Sequence, residues 1–225
     1  MKYAYLSTDL QQGSDIHCRI RISKRNAYHV SGHAAAIYLG NKKKQLPEVF
    51  FKIVFKPHEQ DERQLNEIAA IYSKYHVKIE GGRLIQSLPL SFAEATRYFS
   101  GPQQEKYRCA FEADVINLLA GPLAEAKYVA WRDNEAFNAN LINHNALHFY
   151  GGNLAVINEY MEWFLPNKEE RDRKLAELFL AAFRFVDKRA NWHAITTLAE
   201  FIQDQPNNTI NCEEIIFLLE SRLEA

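Results

Sequence analysis

Ala27-Tyr28-His29-Val30-Ser31-Gly32-His33-Ala34-Ala35-Ala36-Ile37-Tyr38-Leu39-Gly40 reads as a helix, rich in alanine and carrying a late glycine suited to a C-terminal stop. Ala27, Val30, Ala34 and Ile37 recur at helical spacing and predict its buried stripe. His29 and His33 are four residues apart, so both imidazoles leave the same face one turn apart.

That spacing is how zinc peptidases hold a metal with H-E-x-x-H, where the glutamate after the first histidine activates the metal-bound water. Here the glutamate position is Val30, which cannot accept a proton. Ala27-Tyr28-His29-Val30-Ser31-Gly32-His33-Ala34 nonetheless resembles the A-Y-H-E-A-G-H-A metal helix of the FtsH-type zinc metallopeptidase domain. Ala120-Gly121-Pro122-Leu123-Ala124-Glu125-Ala126 is similar to the A-G-x-x-A-E helix that packs beside the metal helix in that family. Asn191–Glu200, with Thr209-Ile210 and Glu213–Ile216, resembles the closing helices of small FtsH-like proteins. The resemblance runs from about residue 24 to the end of the chain.

The resemblance implies a zincin-like, FtsH-peptidase-type helical fold with His29 and His33 as metal ligands. It also implies a third ligand, an aspartate after a glycine turn that opens a helix. The equivalent stretch is Tyr150-Gly151-Gly152-Asn153-Leu154-Ala155-Val156, where the aspartate's place falls near Ala155 and holds no carboxylate. Asn153 is the nearest oxygen donor, and a neutral amide is a poor zinc ligand. His144 and His148, again four apart, stand just before that turn; either one facing His29 and His33 gives a histidine-only site, with His148 the one carried forward, and a polar loop without metal is the alternative. Glu125 borders the site in the family and is read here as a hydrogen-bonding carboxylate, with replacement of the lost base as the alternative.

Elsewhere the patterns are local. Ile16, Cys18, Ile20 and Ile22 alternate with polar residues and predict a short strand. Val49–Phe55 predicts a strand closed by Pro57, residues 61–75 a helix, and Val77–Ile85 two strands around Gly81-Gly82. Ser91-Phe92-Ala93-Glu94 has capping-box form and predicts a helix to Phe99, ended by Gly101-Pro102. Residues 104–128 predict a helix interrupted at Ala120–Ala126, 153–164 and 169–188 two more around Pro166, and Asn191 the N-cap of another. The fold expected is mainly α with a small β-sheet (α+β), one domain over residues 1–225. Its parts are a metal-type helix at 24–40, a sheet region at 49–87 and a helical part at 91–225.

With 47% hydrophobic and 24% charged residues and a formal charge of −1, the composition is that of a globular protein with no electrostatic case for nucleic acid. The basic run Lys42-Lys43-Lys44 reads as a solvated loop. No apolar run spans a bilayer, and Cys18, Cys109 and Cys212, odd in number and far apart, predict free thiols in a reducing cytoplasm. The expected function is a peptidase-like protein without catalysis that binds a protein or peptide partner and needs no cofactor. The alternatives are a zinc-dependent metallopeptidase using His29 and His33 with His148, Asn153 or Glu159, and a helical interaction protein of other ancestry.

Overall fold

A computed structural model describes residues 22–57, 75–88, 91–139, 154–203 and 208–221. Helix α1 (Lys24–Ala35) starts at Ser23, whose side chain accepts from the Asn26 N–H, and buries Ala27, Val30 and Ala34 as the periodicity predicts. It does not stop at Gly40. A π-helical turn (Ala36–Gly40) and a last short turn, α2 (Asn41–Lys43), carry it on, and the chain leaves the helix through Lys44, with φ −87° and ψ 1°, and Gln45, with φ 54°. Gly40 keeps helical backbone angles, and Lys42 and Lys43 belong to a helix, not to a loop.

Strands β1 (Phe51–Pro57) and β2 (Tyr75–Gly81) pair antiparallel with Ile53 opposite Ile79, and β3 (Thr209–Ile210) pairs with the other side of β1. The described strand order is β2-β1-β3, a small antiparallel sheet. The second strand expected after Gly81-Gly82 does not form. Both glycines take positive φ, and the N–H groups of Leu84 and Ile85 go to the Asp114 carboxylate.

The remaining helices are α3 (Phe92–Ala95), α4 (Gly101–Arg132), α5 (Leu154–Phe164), α6 (Lys168–Asp187), α7 (Arg189–Gln203) and α8 (Cys212–Glu220). Helix α3 ends at Ala95, short of Phe99, and Gly101-Pro102 opens α4 instead of closing its predecessor. Helix α4 runs through Pro122 without the expected break. Asn191 lies inside the first turn of α7 and donates to the Phe185 carbonyl, so it is not an N-cap. The expected strand at 16–22, apart from buried Ile22, and the expected helix at 61–75, apart from Tyr75, lie outside the described residues.

Helix α1 packs against both α4 and α7, and α6 packs against α4. The α1–α4 contact is tight because its residues are small: a side chain at Gly32 would stand 2.6 Å from the Ala120 carbonyl oxygen and from Ala124 Cβ. This closeness sets the histidine face of α1 against α4. Phe51, Ile53, Phe55 and Val77 bury the inner face of the sheet in the same core. Among the described residues, no helix is long and apolar enough to cross a membrane.

Candidate functional site

A cavity of about 730 Å³ opens between α1, α4 and β2. Helix α1 contributes Arg25, His29, Val30 and His33, and the π-helical turn that continues it contributes Ile37, positions that share one helical face. Helix α4 contributes Asp114, Asn117, Leu118 and Glu125, spaced by three, one and seven residues along one side. From β2 come His76, Val77, Lys78 and Ile79. Consecutive strand residues point to opposite faces, so a cavity touched by all four lies at the strand's edge.

The two histidines meet. Their Nε2 atoms are 3.1 Å apart. His33 Nδ1 is 2.6 Å from the Asn117 carbonyl oxygen, which can only accept, so Nδ1 carries the proton and donates. His29 Nδ1 donates to Glu125 Oε2 at 3.0 Å. Glu125 is buried, and Arg25 Nε donates to its other oxygen at 2.8 Å. With both Nδ1 atoms spent as donors, the two Nε2 atoms face each other across a gap that one shared positive species, a proton or a metal ion, satisfies. Burial, and after it the neighbouring His29, pushes His33 down to about 3, so its ring is neutral and its Nε2 bare, although an edge of the ring borders the cavity. Glycine makes the geometry possible: a Cβ at Gly121 would stand 2.3 Å from His33 Nε2.

The outer partners are those that zinc-binding histidines use, a carboxylate on one ring and a backbone carbonyl on the other. The inner set does not fit a catalytic zinc ion, which takes three protein ligands. No group of three histidine, cysteine, aspartate or glutamate side chains able to hold a metal occurs among the described residues. Val30 lines the cavity where the base would stand, and Ala155 and Glu159 are exposed on α5. Glu125 is engaged by Arg25 and His29, as a buried hydrogen-bonding carboxylate. His144, His148 and Asn153 lie outside the described residues.

Three further groups at the site escaped the sequence reading. Asp114 accepts from the Leu84 and Ile85 N–H groups at 2.9 Å each, and burial pushes its carboxyl up to about 6 despite those bonds. The Tyr160 hydroxyl, 3.5 Å from Asp114, donates to the Ile85 carbonyl at 3.2 Å, and burial raises it to about 12. Asn117 Nδ2 is buried with no hydrogen-bond partner among the described residues. One signal was available: Asp114, Asn117, Gly121 and Glu125 interrupt an apolar helix at spacings of three, four and four.

The chain was compared with protein-family models, with curated proteins and with solved structures, and nothing matches, so the resemblance to the FtsH-type peptidase domain rests on the quoted motifs.

Proposed function

We propose that this chain is a catalytically degenerate relative of the FtsH-type peptidase domain that binds an extended polypeptide segment along the edge of β2 without cleaving it. The observation that carries the reading is the edge of β2 bordering the same cavity as His29 and His33. Because Gly82 N donates to the Phe50 carbonyl and Phe55 N to the Asn208 carbonyl, alternation turns the backbone groups of Val77, Ile79 and Gly81 away from β1. An incoming strand pairs with those groups, which is β-augmentation. The volume suits a short stretch of chain. Chemistry is missing because Val30 cannot deprotonate water. The free thiols Cys109 and Cys212 support a reducing, cytoplasmic setting.

A second reading, a zinc-dependent hydrolase with a rearranged site, is favoured by one observation. The two Nε2 atoms face each other, and the outer partners of both rings, a carboxylate and a backbone carbonyl, are those that metal-binding histidines use. Panning a peptide library on the wild type and on Ile79→Pro, with labelled casein and zinc alongside, separates the two. The expected result is peptides that lose at least about tenfold in affinity on Ile79→Pro, with no casein cleavage by the wild type or by Val30→Glu. Zinc-dependent, chelator-sensitive cleavage overturns the first reading in favour of the second. Binding that ignores Ile79→Pro removes the strand edge from the account.

A further inference from the structure

The solvent face of the sheet beside that edge has an uneven charge. Lys52 stands opposite Glu80 in the β1–β2 register, and Lys78 and Lys56 close on the same carboxylate. The three ammonium nitrogens lie 3.5, 3.1 and 3.3 Å from Glu80 in that order. Lys78 foremost, and then Lys56, hold the Glu80 carboxyl down to about 2. Among the described residues, three lysines around one glutamate leave this face with two positive charges in excess.

A strand docked on β2 inherits its alternation. If its central residue pairs with Ile79, the residues on either side stand opposite Lys78 and Glu80, with side chains on the lysine face. The central side chain and those two positions away turn to the other face, where Val77 is buried toward the helices. Like charges directly opposite one another in a sheet repel, and opposite charges attract. An acid opposite Lys78 meets its ammonium directly, and one opposite Glu80 meets a carboxylate already surrounded by three ammonium groups, whose surplus positive charge outweighs it.

This inference rests on the peptide-binding reading above. We propose that the segment accepted by β2 is acidic and alternating, with aspartate or glutamate at every second position and small or apolar residues between.

The test uses three heptapeptides labelled for fluorescence anisotropy, alternating valine with glutamate, threonine or lysine. A fourth has the composition of the first, with its glutamates adjacent in pairs. At low salt the alternating glutamate peptide is expected to bind roughly tenfold more tightly than the lysine peptide, with threonine between. The gap closes at high salt, and the peptide with adjacent glutamates gains nothing over threonine. In the Lys52→Glu/Lys56→Glu/Lys78→Glu protein, checked for folding by circular dichroism, the order reverses. The milder pair Lys52→Gln/Lys56→Gln narrows the gap and serves if the triple variant does not fold. Equal binding of the glutamate and lysine peptides, still lost on Ile79→Pro, overturns the acidic preference and leaves the peptide-binding reading standing. Equal binding by the peptide with adjacent glutamates overturns the alternation. Failure of every peptide to bind, or binding indifferent to Ile79→Pro, overturns the reading beneath the inference.

Discussion

Gly121 and Gly40 are both helical, yet only one of them makes room for something. A methyl group at Gly121 overlaps the His33 ring, whereas at Gly40 the nearest atoms are 3.9 Å away. Gly121→Ala is therefore expected to lower stability by about 1–3 kcal/mol from overpacking, partly offset by the better helix propensity of alanine. It also turns the His33 ring away from the Asn117 carbonyl. Gly40→Ala has only the propensity gain, about 0.5–1 kcal/mol, because its backbone angles are already right-handed. Urea midpoints of the two variants, with the imidazole resonances followed by NMR, check both signs. A stabilised Gly121→Ala protein with an unmoved His33 contradicts the geometry described here.

Helix α4 shows where local rules yield to packing. Pro122 deprives the Leu118 carbonyl of its i+4 donor, a defect of about 3 kcal/mol in an isolated helix. The helix stays continuous because most of its residues from Phe111 to Ala130 are buried against its neighbours. Pro122→Ala is expected to raise stability by about 1–2 kcal/mol, read as a higher melting temperature, since the restored bond outweighs the small volume lost. A lower melting temperature instead identifies the ring as a packing element. The same helix explains what the sequence could and could not disclose. Its apolar period was plain, and so was the histidine face of α1, because both repeat within a few residues. Neither the continuity through Pro122 nor the capture of Leu84 and Ile85 by Asp114 was legible. Each depends on partners far away in the chain, about 30 residues in the second case. Gly81-Gly82 announced a turn correctly, but its outgoing arm found a buried carboxylate more rewarding than a third strand.

For the molecule as a whole, two buried groups of opposite habit shape the dependence of stability on pH. The folded pKa of Asp114, about 6, lies above the ordinary 3.8. Its contribution is thus complete below about 3.8 and is lost as pH rises through 6. His33, at about 3, lies below the ordinary 6.5. Its contribution is complete above 6.5 and is lost as pH falls toward 3. Between about pH 4 and 6 the two oppose each other and flatten the profile. In Asp114→Asn the falling component is gone, so its stability rises more steeply with pH than that of the wild type. The difference accumulated across the window is about 3 kcal/mol. Urea midpoints of both proteins at pH 4, 5, 6 and 7 measure it. Parallel profiles mean that Asp114 is as acidic folded as unfolded.

The pairing of β1 with β3 ties the first described strand to Thr209 and Ile210 near the other end of the chain. During synthesis, at about 5–20 residues per second, some ten seconds or more pass before that partner leaves the ribosome. Until then β1 has at most β2 beside it, and a lone hairpin is barely stable in water. The nascent chain thus spends those seconds with Phe51, Ile53 and Phe55 in need of shelter. Chaperone demand should fall sharply once residues 209–210 have left the ribosome.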